Sequence, residues 1–111
     1  MLDLSAIKKN YYEIKLVDGT ELNLDKPTQA MVEFCINAMN MAKGDEVNIE
    51  AIHALASLFA KILNRNIEGK KFSEEQLSDE YDYQLIAYVI KDYFDYWSAE
   101  SNKQVVFQVN Q

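Results

Sequence analysis

The spacing of apolar residues changes along the chain, and this change predicts where strands give way to helices. Residues 12–16 and 20–24 alternate apolar and polar side chains, which is typical of half-buried strands. Asp18-Gly19 lies between them, a pair favoured in type I′ turns, where both residues have positive φ. We therefore expect a β-hairpin that must pack on helices, since a lone hairpin is marginal in water. Its inward-facing side chains would be Tyr12, Ile14, Leu16, Leu22 and Leu24.

A first helix is predicted to begin near Pro27 and to end at Gly44, a standard residue just beyond a helix end. Its main apolar face would hold Met31, Val32, Cys35, Ile36, Met39 and Ala42. A second apolar strip lies about 100° away around the helix. This strip consists of Ala30, Phe34, Ala38 and Met41. Two interpretations stay open: the hairpin covers the strip, or the strip binds a partner or another subunit.

A second helix is predicted over residues 48–64, with Asn48 as its N-cap. Its apolar side chains cover an arc of roughly 200°. A helix that packs on one surface needs a stripe of only about 100°. We therefore expect this helix to lie at the centre of the fold, covered by more than one neighbour.

The third part of the chain predicts a short helix followed by a long aromatic one. Ser73-Glu-Glu-Gln76 has the spacing of a capping box, so a helix of one or two turns should follow Phe72. The long helix should open at Ser78-Asp79-Glu80, with Asp79 as its cap. Three tyrosines lie at the margins of its apolar arc or outside it, and exposed aromatic rings are common anchors of binding surfaces. They are Tyr83, Tyr88 and Tyr96.

These elements predict a mainly α fold (α+β), with an N-terminal β-hairpin packed on a compact bundle of three long helices plus one short helix. Residues 1–10 show no pattern and are expected to form a disordered arm. Residues 11–100 should form a single globular domain. Residues 101–111 would be a tail, in which 105–109 (Val-Val-Phe-Gln-Val) is β-prone and predicts a short strand.

The charge of the chain argues against two classes of partner. The formal net charge is −7, and an acidic surface repels phosphate backbones and anionic lipids, so neither nucleic acid nor a membrane is the expected partner. No run approaches the roughly 18 apolar residues of a membrane span, and the N-terminus lacks a signal-peptide pattern. We expect a cytoplasmic protein. Cys35 is the only cysteine, which excludes an internal disulfide.

The residues that could carry chemistry form no convincing site. His53 has Glu50 and Ser57 as helical neighbours, but no strained nucleophile turn or oxyanion donors accompany them. The acidic residues 79, 80 and 82 lack the spacing of an EF-hand loop, and no phosphate-binding glycine motif occurs. We therefore expect no catalytic residue, no metal and no cofactor, and the protein is not expected to be an enzyme.

Two segments carry a resemblance to a known family. Leu22-Asn-Leu-Asp-Lys-Pro27 follows the Asp18-Gly19 turn, and Leu63-Asn-Arg-Asn-Ile-Glu-Gly-Lys-Lys-Phe-Ser73 closes the central helix before an acidic, aromatic helix. From Tyr12 to Trp97 this layout resembles the tail assembly chaperones of long-tailed phages and prophages of Gram-positive bacteria. No position in these motifs is catalytic.

The resemblance implies a small, acidic protein of the host cytoplasm that is absent from the mature virion. Such chaperones coat the hydrophobic tape measure protein and give way as the major tail tube protein polymerises around it. The wide apolar arcs also suggest a homo-oligomer. Two other hypotheses stay open: an acidic regulator or inhibitor from a mobile element that mimics nucleic acid, and a small hydrolase that uses His53.

Overall fold

The computed structural model describes residues 11–41 and 49–109, and it confirms a mainly helical fold with an N-terminal hairpin. Within these ranges the element order is β1 (Tyr12–Lys15), β2 (Glu21–Leu24), α1 (Gln29–Met41), α2 (Ile49–Leu63), α3 (Glu74–Glu80) and α4 (Tyr83–Val109). None of the helices so described is both long and apolar enough to cross a membrane. The predicted arm at 1–10, the helix end at Gly44 and the Asn48 cap lie outside the described residues.

The hairpin forms where the alternation predicts it, but its turn differs from the prediction. Strands β1 and β2 are antiparallel, with Ile14 opposite Leu22. Gly19 has φ 92°, but Asp18 does not have a positive φ, because within the described residues only glycines do. A type I′ turn needs a positive φ at both positions, so the predicted turn is wrong. Gly19 N–H donates to Leu16 O at 2.9 Å and Leu16 N–H to Thr20 O at 2.8 Å. The loop therefore has three residues, with a glycine in the left-handed region at its end.

A third segment extends the hairpin beyond what the sequence predicts. Residues 65–67, just after α2, lie antiparallel to the outer side of β2, with an isolated bridge between Leu24 and Asn66. Asp25 N–H donates to Arg65 O and Ile67 N–H donates to Asn23 O, both at 3.0 Å. The end of the central helix is thereby joined to the hairpin through backbone hydrogen bonds.

Helix α2 is the centre of the fold, as its wide apolar arc predicts. It packs against α1, α3, α4 and β2. Its buried residues are Ala51, Leu55, Ala56, Leu58, Phe59, Ala60, Ile62 and Leu63. The inward face of the hairpin completes this core, because Leu16, Leu22 and Leu24 are buried and Tyr12 and Ile14 pack against the same cluster.

Helix α1 is rotated relative to the predicted main face. Met31, Cys35 and Ala38 are buried, whereas Val32 and Ile36 are exposed. The helix packs chiefly against α2, and one neighbouring helix covers only a narrow apolar stripe. A stripe at i, i+4 and i+7 is therefore buried, and the rest of the wider apolar surface stays outside. Thr28 Oγ1 caps the helix by accepting from Met31 N–H at 3.2 Å.

The boundary between the last two helices is shifted. The predicted capping residue is confirmed, because Ser73 Oγ accepts from Gln76 N–H at 3.1 Å. However, Asp79 and Glu80 end α3 instead of opening α4. Tyr81 is extended and buried, which breaks the helix, and Asp82 Oδ1 then caps α4 by accepting from Leu85 N–H at 2.8 Å.

The strand predicted at 105–109 is wrong, because α4 continues to Val109. No change of secondary structure marks residue 101 as the start of a tail. Valine is only slightly less favourable in a helix than the best helix formers, and extending an existing helix costs far less than starting one. Propagation therefore outweighs the β propensity of this segment.

Candidate partner-binding surface

Two groups of exposed apolar side chains stand out on the described surface. The α1 patch consists of Val32 and Ile36, spaced i, i+4, with Ile36 54% exposed. The α4 patch consists of Tyr83, Leu85 and Tyr88, with Tyr88 69% exposed. Val32 and Ile36 form a short ridge on α1, and Leu85 and Tyr88 form one on α4, and both helices pack on α2. Tyr83 lies at the start of α4, about 160° around the helix from Leu85.

The predicted α1 strip does not form one exposed surface. Ala30 is exposed, but Ala38 is only 1% exposed and belongs to the core. Phe34 is half-buried against the core, and the Lys61 ammonium lies 5.6 Å from its ring centroid. The side chain of Met41 lies outside the described part of the structure. Because α1 turns its 31/35/38 stripe towards α2, the available apolar surface is the α1 patch and not the predicted strip.

The three predicted tyrosines have different environments. Tyr83 and Tyr88 are exposed and belong to the α4 patch. Tyr96 is half-buried: its ring lies edge-on to Tyr12 and Trp97, and its hydroxyl donates to Tyr11 O at 3.3 Å. Tyr96 therefore holds β1 against α4, and only Tyr83 and Tyr88 offer free ring surface.

An aromatic cluster joins the hairpin to α4. Tyr12 lies edge-on to Tyr93 and Tyr96, and Trp97 lies edge-on to the same two rings. The Tyr93 hydroxyl donates to Asp25 O at 2.6 Å, and the Tyr12 hydroxyl donates to Asp92 Oδ2 at 2.6 Å. Burial raises the pKa of both phenols, and at Tyr12 the hydrogen bond to Asp92 raises the pKa further. Both hydroxyls thus act as fixed donors.

Tyr81 has a structural role that the sequence did not reveal. Its ring lies edge-on to Phe59 at 5.2 Å between centroids, and its hydroxyl accepts from Val17 N–H at 3.4 Å. It fixes the far end of β1, opposite the end held by Tyr96. The one sequence signal for this role was that Tyr81 is an aromatic residue among the acidic residues 79–82. The sequence pattern instead placed Tyr81 inside the predicted long helix.

The segment that carries the family resemblance is a structural clip, here called the asparagine clip (residues 64–72). Asn64 bonds both the N–H and the C=O of Phe72, at 2.8 and 3.0 Å. Asn66 bonds the N–H and the C=O of Lys70, at 2.9 and 2.8 Å, and donates to Leu63 O at 2.7 Å. The two amides close the loop from inside, so the side chains are needed for its shape.

Charged side chains attach the asparagine clip to β2. Arg65 Nε donates to Lys26 O at 3.0 Å, and its guanidinium lies 3.8 Å from the Asp25 carboxylate. Glu68 accepts from the side-chain amide and the backbone N–H of Asn23, at 2.9 and 3.1 Å. These two hydrogen bonds lower the pKa of Glu68. The motif residues therefore dock the hairpin, and their role here is architectural.

The residues weighed for catalysis or metal binding are exposed, except for the half-buried Ser57. His53 Nδ1 is 3.4 Å from Glu74 Oε1, with the histidine side chain 69% exposed, so the pair joins α2 to α3 at the surface. Within ranges 11–41 and 49–109 no group of three His, Cys, Asp or Glu side chains could hold a metal ion. Cys35 is buried, and burial raises the pKa of its thiol.

Comparison with known proteins gives no relative. No protein-family model, curated protein or solved structure matches the chain. The resemblance to tail assembly chaperones therefore stays a prediction, made from the two segments around residues 22–27 and 63–73.

Proposed function

We propose that this protein is a non-enzymatic phage tail assembly chaperone that binds the tape measure protein and keeps it soluble during tail morphogenesis. The observation that carries the proposal is the α4 patch, in which two tyrosines and a leucine stay exposed on a helix of an acidic protein. The resemblance of residues 12–97 to that family supplies the identity of the client.

The two patches suit a helical, apolar client. An amphipathic helix places its apolar side chains at i, i+3, i+4 and i+7, which is the spacing at which another helix ridge receives them. Leu85 and Tyr88 are three residues apart, and Val32 and Ile36 are four apart. Tyrosine rings bury a large area at a small cost in side-chain entropy, so Tyr88, beside Leu85, would be the main anchor.

The net charge of −7 also supports a chaperone role, because it would keep the complex with an apolar client soluble. A protein that covers an apolar client needs like charges on its outer surface to prevent the complexes from associating. The complex would form in the cytoplasm of the host cell. The client would leave it as the major tail tube protein polymerises, so the chaperone would be absent from the mature virion.

Co-expression tests the proposal directly. The tape measure protein of the same phage is expressed with and without this chain, and its soluble fraction is measured. We expect a rise of at least several-fold with the wild-type chain. The double variant Leu85→Ser/Tyr88→Ser should lose most of this rise, because it removes the centre of the α4 patch without touching a buried residue.

Two matched double variants distinguish the loss of apolar contact with the client from the effect of changing any two exposed residues of α1. Val32→Ser/Ile36→Ser removes the α1 patch. Glu33→Ser/Asn37→Ser changes two exposed residues at the same spacing on the same helix. We expect only the first pair to reduce client solubility. A tape measure protein that is equally insoluble with and without the wild-type chain would disprove the proposed function.

A further inference from the structure

The two strands of the hairpin differ in how their outer edges are satisfied. Leu16 N–H points towards β2, since it donates to Thr20 O. In an antiparallel pair such inward groups occur at every second residue, so in β1 the odd-numbered residues direct their N–H and C=O groups away from β2. In β2 the odd-numbered residues likewise direct their backbone groups away from the partner strand. Asn23 C=O accepts from Ile67 N–H, and Asn23 N–H donates to the Glu68 carboxylate.

Among the described residues, hydrogen-bond partners occupy only the two ends of the outer edge of β1. Tyr96 donates to Tyr11 O at one end, and Val17 N–H donates to the Tyr81 hydroxyl at the other. Between these ends lie Glu13 and Lys15, whose N–H and C=O groups have no hydrogen-bond partner among residues 11–41 and 49–109. This leaves two donors and two acceptors in a row, which is the pattern that an added strand requires.

The charged side chains at this edge are complementary to those of a second copy of β1 that runs antiparallel to it. Glu13 and Lys15 are both exposed and flank Ile14. If two copies of β1 pair antiparallel about Ile14, each Glu13 lies opposite the Lys15 of the other copy. Both odd-numbered residues then form hydrogen-bonded pairs, which gives four backbone hydrogen bonds. The arrangement has a two-fold axis at Ile14, as a closed dimer demands.

We propose that the outer edge of β1 binds the same edge of a second copy of this chain, forming a four-stranded sheet in the order β2-β1-β1-β2. Oppositely charged residues placed directly opposite each other stabilise strand pairing, whereas like charges oppose it. A parallel arrangement would not place Glu13 against Lys15 in this symmetric way. The contact is short, because the hydroxyls of Tyr96 and Tyr81 already occupy its two ends. The dimer is therefore expected to be weak, as small interfaces are.

Sedimentation equilibrium on the full chain, with two single variants, tests the pairing. Glu13→Lys makes the edge wholly basic and Lys15→Glu makes it wholly acidic, so each variant meets like charges in its own dimer. We expect each to self-associate at least about tenfold more weakly than the wild type, since two attractive pairs become repulsive. An equimolar mixture of the two restores both Glu–Lys pairs and should dimerise at least as well as the wild type.

Unchanged far-UV circular dichroism would show that the single variants keep the fold. Amide hydrogen exchange adds a readout at the backbone, since Glu13 and Lys15 N–H groups should become protected as the wild-type concentration rises. A wild-type chain that stays monomeric at concentrations up to about 1 mM overturns the proposal. So does self-association that neither variant weakens. Protection of these amides only when a different protein is added would assign the edge to that partner instead. The test does not involve the tape measure protein, so its outcome is separate from that of the proposed function.

Discussion

Removing one hydroxyl from the aromatic cluster should destabilise the protein measurably. Tyr93 is 0% exposed, and its hydroxyl donates to Asp25 O at 2.6 Å, where the chain leaves β2. Tyr93→Phe keeps the ring and its edge-on contacts with Tyr12 and Trp97, so the change is confined to the hydrogen bond. The Asp25 carbonyl would lose its donor in a partly buried place.

The magnitude follows from the two parts of this loss. A typical intramolecular hydrogen bond contributes about 1 kcal/mol net, and an acceptor left without a partner in a buried place adds up to about 1 kcal/mol more. We therefore expect the free energy of unfolding to fall by about 1–2 kcal/mol, which corresponds to a Tm lower by roughly 4–12 °C for a domain of this size. Tyr93→Ala should cost about 3–5 kcal/mol, as buried aromatic truncations do.

Urea unfolding followed by circular dichroism at 222 nm measures the change, and the slope m should stay the same because the folded surface does not change. Tyr88→Phe is the matched control, since its hydroxyl is on an exposed ring, and it should leave the midpoint unchanged. A Tyr93→Phe protein as stable as the wild type would refute the role given to this hydrogen bond.

Three further predictions concern the hairpin and the asparagine clip. Asn66→Ala removes three hydrogen bonds to the backbone and should lower the free energy of unfolding by about 2 kcal/mol in urea titrations, whereas Asn37→Ala on the surface should not. Gly19→Ala should cost about 1–2 kcal/mol by the same assay, because Gly19 has φ 92° and left-handed backbone penalises a Cβ even in open space. The hydrogen bonds from Asn23 lower the pKa of Glu68 in the folded protein. The ionised Glu68 therefore stabilises the fold above the pKa of an unfolded glutamate, about 4.3. This stabilisation is lost as the pH falls through the lower pKa of the folded protein. Glu68→Gln should therefore flatten the loss of stability with acid below that pH in thermal melts.

Each of these has a distinct contrary result. An Asn66→Ala protein with wild-type stability would mean that the clip is held by backbone contacts alone. A Gly19→Asn protein should be less destabilised than Gly19→Ala, because asparagine tolerates the left-handed region better, and the reverse order would refute the turn geometry. Equal acid sensitivity of wild type and Glu68→Gln would remove Glu68 from the acid response.

The sequence predicted those elements whose signal is local. The hairpin follows from period-two alternation, and the central place of α2 follows from the width of its apolar arc, since both depend on residues near each other in the chain. The face of α1 could not be predicted, because Val32 and Ala38 are both apolar and only the position of α2 decides which is buried. The role of Tyr81 depends on Phe59 and Val17, which are distant in sequence.

The exposure of the predicted partner-binding residues could be foreseen only in part, for the same reason. Tyr83 and Tyr88 are both exposed, but Tyr96 contacts Tyr11 and Tyr12 of the hairpin segment. The asparagine clip shows the limit most clearly. Its residues were recognised as a motif, yet its function as a brace depends on hydrogen bonds to Phe72, Lys70 and Asn23, which periodicity does not encode.

The only tryptophan of the chain gives this fold a built-in optical probe. The indole N–H of Trp97 is enclosed and has no hydrogen-bond partner among the described residues. Its ring touches Tyr93, which holds the end of β2, and Tyr96, which holds β1. We therefore expect the fluorescence of this single indole to respond to the docking of the hairpin on α4. Opening of that joint would shift its emission to longer wavelength while the circular dichroism of the helices stays constant.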